Sequence, residues 1–160
     1  MGEFNVEDFK LMLSDMEEWI RKNRSDAEMM AVGSRDDIRE LLSSLLSEVD
    51  RKVPDDTKVD IFCDQVAEAF AVDIHGIVDD RLSVTMPWGF DSAAIRVPVQ
   101  IWHGGQDRFV PFGHGKWISA HTRAAEAHLE EDEGHLSIFA GRIDAIHAWL
   151  VSKFQASPAG

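Results

Sequence analysis

The chain has 160 residues, 44% apolar and 28% charged, which is the composition of one ordinary folded domain with a sizeable core. Its formal net charge of −13 argues against nucleic acid and anionic membranes as partners, because both attract basic patches. The single cysteine, Cys63, rules out an intramolecular disulfide and indicates a reducing, cytoplasmic setting. The sequence contains neither the apolar segment of a signal peptide nor a run of transmembrane length. Residues Met1 to Phe4 look like a cloning remnant.

Helical spacing of apolar residues marks the first twenty positions. The residues on this stripe are Val6, Phe9, Met12, Leu13, Met16, Trp19 and Ile20. The pattern predicts one amphipathic helix over this stretch. Ser25 followed by Glu28 has the spacing of a capping box, which predicts a second, short helix that ends near Gly33.

Two more helices are predicted before Pro87. Ser34 with acidic residues behind it opens the first, and Pro54 ends it. The buried face of this helix is predicted to consist of Ile38, Leu41, Leu42, Leu45 and Val49. The second begins at Asp56 and Thr57, and it places Cys63 inward as a small core residue.

The hydrophobic period changes after Pro87. The predicted elements are a strand at 97–101, a helix at 111–121 with Trp117 and Ile118 buried, a strand at 126–129 and an amphipathic helix at 136–154. Strands alternating with helices in this way predict two parallel strands. Because two parallel strands do not make a stable sheet, we expect this part of the chain to be the edge of a larger one.

Two polar side chains follow the predicted strands. Asp107 comes just after the first strand, and His135 follows the second within Glu133-Gly-His. The carboxyl ends of adjacent parallel strands meet at one edge of a sheet, so we expect the two residues to be neighbours. In a hydrolytic triad an Asp orients a His, which serves as general base. The simpler alternatives stay open, since a loop Asp often bonds its own backbone and a loop His is often only a surface residue.

The sequence has no recognisable nucleophile for such a pair. It contains no G-x-S-x-G elbow: Ser34 is predicted to cap a helix, and Ser137 lies at a loop–helix junction that suits an N-cap. It also contains no G-x-G-x-x-G and no P-loop, so nucleotide binding has no support. The other histidines lack a zinc spacing with a third ligand. We therefore predict no metal and no cofactor, although a metal site assembled across the fold stays open.

Three stretches together resemble one known family. They are Met86-Pro-Trp-Gly-Phe90, the run from Ile95 through His103-Gly-Gly-Gln-Asp107 to Pro111, and Glu133-Gly-His135-Leu-Ser137. They resemble the C-terminal half of bacterial α/β-hydrolase-fold proteins related to esterases, epoxide hydrolases and proline iminopeptidases. The resemblance implies an α/β fold with a mostly helical cap or lid, residues 1–86, followed by residues 87–160 as the C-terminal strand-helix-strand-helix edge of the hydrolase sheet. It also implies Asp107 as the triad acid and His135 as the triad base.

This sequence departs from that family because the strands that carry the nucleophile elbow usually precede the cap, and none is found here. The complete relative is expected to hydrolyse a small ester, amide or related acyl compound, and the isolated chain is expected to be inactive. One alternative is a non-enzymatic binding or oligomerisation module on a degenerate hydrolase scaffold. Another is that a second chain supplies the absent half. Because the absent strands would leave apolar surface uncovered, we expect a dimer or higher oligomer.

Overall fold

The computed structural model describes residues 3–32, 34–53, 60–61, 63–65, 68–69 and 73–156. These residues form a mixed α/β protein that is mostly helical and carries one small parallel sheet. The helices are α1 (Glu3–Ser14), α2 (Met16–Val32), α3 (Arg35–Leu45), α4 (His75–Thr85), α5 (Phe112–His121) and α6 (His135–Ala156), and the strands are β1 (Val99–Gly104) and β2 (Ala125–Glu130). Short 3₁₀ turns lie at Asp50–Lys52 and Ser92–Ala94.

The chain folds as two compact units. The helical unit consists of residues 1–45 and 54–90, and the sheet unit consists of residues 46–53 and 91–160. The segment 46–53 thus belongs to the sheet unit although it lies within the stretch that the sequence pattern predicts as helical. None of the helices in the described part of the chain is long and apolar enough to cross a membrane.

The first predicted helix is in fact two helices, which separate at Asp15. The Asp15 side chain accepts a hydrogen bond from the Glu18 N–H (2.9 Å), and so caps the N-terminus of α2. This break changes which residues are inward. Met12 and Trp19 are buried, whereas Leu13, which the stripe predicted to be inward, is 74% exposed. A single helical period cannot continue across an N-cap, which is why the prediction was wrong for Leu13.

A polar contact completes the core of the helical unit. The fully buried Trp19 donates its indole N–H to Asp8 Oδ1 at 3.0 Å. Arg81 of α4 lies 3.4 Å from Asp8 Oδ2, and its guanidinium covers the Phe9 ring. The buried carboxylate therefore has both a hydrogen-bond donor and a countercharge, as a buried charge requires.

The two predicted helix starts have different outcomes. The helix start predicted at Ser25 is wrong. No proline or glycine lies between Met16 and Val32, and α2 continues through Ser25 over that whole range. The start at Ser34 is confirmed: the Ser34 N–H donates to Asp37 Oδ2 (3.0 Å), and the Asp37 N–H donates to Ser34 Oγ (3.3 Å). Helix α3 ends at Leu45 rather than at Pro54, because residues 46–53 leave the helix and belong to the sheet unit.

The predicted helix after Asp56 lies largely outside the described residues. Those that are described, 60–61, 63–65 and 68–69, are helical. Cys63 is a free, buried thiol, which confirms its prediction as a small core residue. The predicted inward positions Ile38, Leu41 and Leu42 of α3 also lie outside the described side chains.

The sheet unit confirms the predicted parallel strands. β1 and β2 pair in register from Val99–Ala125 to Gly104–Glu130, and α5 connects them. Helix α6 follows β2 and packs against β1, and its Ile138 is buried. Trp117 of α5 was predicted to be buried, but it is 52% exposed. Its ring stacks on that of His121 one turn further along the same helix, so it lies on the outer face.

Candidate active site

The loop after β1 holds Asp107 in a fixed position. One carboxylate oxygen, Oδ1, accepts the backbone N–H groups of Phe109 (2.7 Å) and Val110 (2.8 Å). This is the local bonding by which an Asp stabilises a turn, and it supports the simpler reading of this residue. The bonding leaves Oδ2 for another partner. The residue is buried, so its carboxylate depends on these bonds rather than on water.

Backbone hydrogen bonds hold the Asp107 loop beside the loop after β2. The Gly105 N–H donates to the Glu130 carbonyl, and the Gln106 N–H donates to the Glu133 carbonyl, both at 2.8 Å. Gly104 makes this close approach possible: a Cβ at this position would lie 2.3 Å from the Gly134 carbonyl oxygen. The glycines of the His103-Gly-Gly motif therefore let the two loops touch.

The structure brings Asp107 and His135 together, as the predicted strand order requires. His135 Nδ1 donates to Asp107 Oδ2 at 2.9 Å. The Phe109 ring lies 4.9 Å from the imidazole, centre to centre. The His135 side chain is 43% exposed, whereas that of Asp107 is almost fully enclosed. The pair therefore has a buried acid and a histidine that reaches the surface.

The contacts of this pair shift both pKa values, upward for His135 and downward for Asp107. The hydrogen bond from His135 to Asp107 raises the pKa of His135; partial burial opposes this, and the negative charges of Asp107 and Asp50 add to it. Burial by itself would raise the pKa of Asp107, but the bonds from His135, Val110 and Phe109 outweigh it and lower the pKa. Asp107 thus stays ionised and favours protonation of the imidazole.

A second acidic residue, which the sequence did not single out, contacts the backbone at His135. Asp50 is completely buried, and its carboxylate accepts the backbone N–H groups of His135 (3.1 Å), Leu136 (2.8 Å) and Ser137 (2.9 Å). Burial disfavours the charged form of Asp50, but these bonds and one from Ser47 lower its pKa below the usual value. Nothing in the local sequence around Asp50 signals this contact, because its partners lie 85 or more residues away.

A second histidine and a largely apolar groove lie beside the pair. His103 is largely buried, with Nε2 3.3 Å from the Val110 carbonyl oxygen and 3.6 Å from Asp107 Oδ2. A groove of about 460 Å³ adjoins the pair, a size that suits a small molecule. The walls of the groove include Trp102, Leu136, Ile138, Phe139 and Ile146.

The candidate nucleophiles do not complete a triad within the described part of the chain. Ser137 Oγ accepts the Gly134 N–H at 2.7 Å from within the first turn of α6, so the prediction that Ser137 is the N-cap is wrong. Ser34 caps α3 in the helical unit. No group of three His, Cys, Asp or Glu side chains among the described residues could hold a metal ion.

No protein-family profile, curated protein or solved structure matches this chain.

Proposed function

We propose that this chain is the cap and C-terminal part of an α/β-hydrolase-fold protein, in which Asp107 and His135 are the acid and base of a catalytic triad. The observation that carries the proposal is the 2.9 Å bond from His135 Nδ1 to a buried carboxylate at the carboxyl edge of two parallel strands. The residue motifs around both side chains support it independently. In this reading β1 and β2 are the last strands of a larger sheet.

The chemistry of the pair follows from which nitrogen is engaged. Nδ1 donates to Asp107, so Nε2 is the nitrogen that accepts a proton from an attacking hydroxyl and later returns it to the leaving group. The ionised Asp107 fixes this tautomer and stabilises the imidazolium that forms. The exposure of the His135 side chain allows a nucleophile and a substrate to approach it.

The nucleophile is proposed to be a serine on a strand-to-helix elbow that this sequence does not contain. The described serines nearest to the pair in sequence have structural partners, as Ser137 shows. The substrate is then a small ester, amide or related acyl compound, bound against the apolar groove beside His135. By itself, a base with its orienting acid has no group to activate, so the isolated chain should not turn over acyl substrates.

The experiment that tests this proposal extends the chain. The coding sequence upstream of Asn5 is expected to contain a G-x-S-x-G motif in frame, and the extended protein is expected to react with a fluorophosphonate probe. His135→Ala and Asp107→Asn should each abolish this labelling or reduce it strongly, while His121→Ala, on the outer face of α5, should leave it unchanged. Turnover of p-nitrophenyl acetate by the isolated chain above the imidazole background, lost in Asp107→Asn, would refute the proposal that the nucleophile lies elsewhere.

A non-enzymatic association module is the second candidate, and the exposed apolar residues of α6 favour it. Phe139, Leu150, Val151 and Phe154 are each more than half exposed, and Phe154 is 84% exposed. Large apolar side chains in such numbers favour self-association. Light scattering should show a dimer or higher oligomer at tens of micromolar, and Phe154→Asp should shift it toward monomer. A wild-type chain that is monomeric at this concentration would argue against the module.

A further inference from the structure

Residues 46–53 form a segment of the sheet unit that contacts both loops of the candidate site. At its start, the Leu46 carbonyl accepts hydrogen bonds from Arg108 Nη1 (3.2 Å) and Arg51 Nη2 (3.1 Å). Arg108 is the residue next to Asp107, so this contact reaches the acid loop. Near the middle of the segment, Asp50 binds the backbone of the base loop. One short segment therefore joins the acid and the base of the pair.

The contact with the base loop caps helix α6. The first N–H groups of a helix have no partner within the helix, and Asp50 accepts three of them in succession, at 135, 136 and 137. Its own position is fixed by Ser47, whose hydroxyl donates to Asp50 Oδ2 at 2.7 Å. The N-cap of a helix is usually supplied by the adjoining residue. Here it comes from a buried carboxylate that is remote in sequence.

Gly134 provides the space for this carboxylate. A Cβ at position 134 would lie 2.3 to 2.5 Å from the carboxylate atoms of Asp50, closer than any real contact. Any other residue would push the carboxylate away from the first turn of α6. The Gly-His pair of the sequence motif therefore has two tasks, since the glycine admits Asp50 and the histidine bonds Asp107.

The charge of Asp50 acts on His135 as well as on the backbone. The positive end of a helix dipole disfavours a protonated histidine in the first turn. The negative charge of Asp50 opposes this effect and raises the pKa of His135, in the same direction as Asp107. His103 of β1 lies 3.6 Å from Asp107 Oδ2, and the neighbouring Phe109 and Leu136 carry no charge. The negative charges that raise the pKa of His135 are those of Asp107 and Asp50.

We propose that Asp50 is a positioning residue for the Asp107–His135 pair. By accepting the backbone N–H of His135, Asp50 holds this residue so that its ring stays bonded to Asp107. This inference rests on the proposed function for its biological meaning, but its physical content concerns only this chain. Loss of the Asp50 charge lowers the pKa of His135 whether or not Asp50 positions the ring, so Ser47→Ala, which keeps that charge, is the variant that separates positioning from charge alone. A positioning residue changes both the order of the turn and the protonation of the imidazole.

The test compares Asp50→Asn with Glu48→Gln by NMR of the full chain. Both variants remove one negative charge from the same segment, but Glu48 is exposed whereas Asp50 is buried. In Asp50→Asn we expect the pKa of His135 to fall and the amides of 135, 136 and 137 to exchange roughly tenfold faster or more, since an amide group replaces a charged acceptor. The amides of Ile101 and Leu129 in the strands are the internal reference and should keep their exchange rates. Glu48→Gln should change neither readout.

A second variant covers the case in which Asp50→Asn does not fold. Ser47→Ala keeps the Asp50 carboxylate but removes its hydroxyl donor, and we expect the same two changes at smaller size. An unchanged His135 titration and unchanged exchange in either folded variant would overturn the inference. Because neither readout needs a nucleophile, a failed labelling experiment on the extended protein would refute the proposed function and leave this result intact.

Discussion

Replacing Asp107 by Asn is the most direct perturbation of the pair, because the side chain keeps its shape and loses its charge. The Asn carbonyl can still accept the Phe109 and Val110 N–H groups, so the turn should survive. The bond to His135 is the one that changes. A hydrogen bond to a charged group contributes about 1.5–3 kcal/mol. Since His135 is partly exposed and Asn also recovers the cost of burying a charge, we expect a loss of about 1–2 kcal/mol in the free energy of unfolding.

The size of this loss should depend on pH. The folded-state pKa of His135 is raised, so its contribution is complete below the unfolded value of about 6.5 and disappears as the pH rises through the folded value. The pKa of Asp107 is lowered, so its contribution is present above about 3.9 and disappears as the pH falls through its folded value. Both contributions are therefore present near pH 5.5. At pH 8.5 a neutral imidazole can change tautomer and accept from the Asn amide, so the loss should be below about 1 kcal/mol.

The assay is urea denaturation of the wild type and Asp107→Asn at both pH values, followed through NMR signals of Ile101 and Leu129 so that only the sheet unit is measured. The ¹⁵N shifts of the imidazole in the same samples report its tautomer. We expect the difference in unfolding free energy to be larger at pH 5.5 than at pH 8.5, with Nδ1 losing its proton in the variant at pH 8.5. An equal difference at both values, or a larger one at pH 8.5, would show that the reasoning about the charged pair is wrong.

Three further substitutions test the packing on which the fold depends. Gly134→Ala should destabilise the chain by about 2 kcal/mol or more, since its Cβ overlaps the Asp50 carboxylate, whereas Gly141→Ala, with open space around it in α6, should stabilise by about 0.5–1 kcal/mol. Thermal unfolding by circular dichroism measures both, and similar effects at the two positions would contradict the structure. Trp19→Phe should cost about 2–4 kcal/mol in the same assay, because it removes the only indole donor to the buried Asp8 carboxylate in the described structure and leaves a small cavity; a loss below 1 kcal/mol would mean that this bond is unimportant.

The sequence predicted the part of the site that depends on local pattern. Two short β-rich runs separated by a helix implied parallel strands, and parallel strands bring their carboxyl-end loops together. That geometry was enough to expect Asp107 and His135 to be neighbours, and they are. Their role as triad acid and base stays a prediction, as does the hydrolase relationship.

The sequence could not predict Asp50 for a physical reason. It lies in an apparently helical stretch, between Leu45 and Pro54, where an acidic residue is most simply a solvent-facing one. Its three backbone partners are far along the chain, and a bond to backbone N–H places no demand on the identity of the partner side chain. The helix break at Asp15 was missed for another reason. The Asp15–Glu18 spacing is a visible N-cap signal, but the apolar stripe continues across it and favoured a single helix.

The sheet unit buries few apolar side chains, which indicates that something else covers its apolar surface. Among its described residues, Leu46 and Ile138 are the buried apolar side chains, whereas buried polar ones are three times as many: Ser47, Asp50, Ser92, His103, Asp107 and Thr122. Apolar burial is the main favourable contribution to folding, and satisfied polar groups add little net stability. Within the described residues β1 pairs only with β2, and Phe139 and Phe154 are exposed on α6, so this unit has apolar surface left to bury. Further sheet, in the same protein or in a partner, would cover that surface, and the proposed function requires such strands to carry the nucleophile.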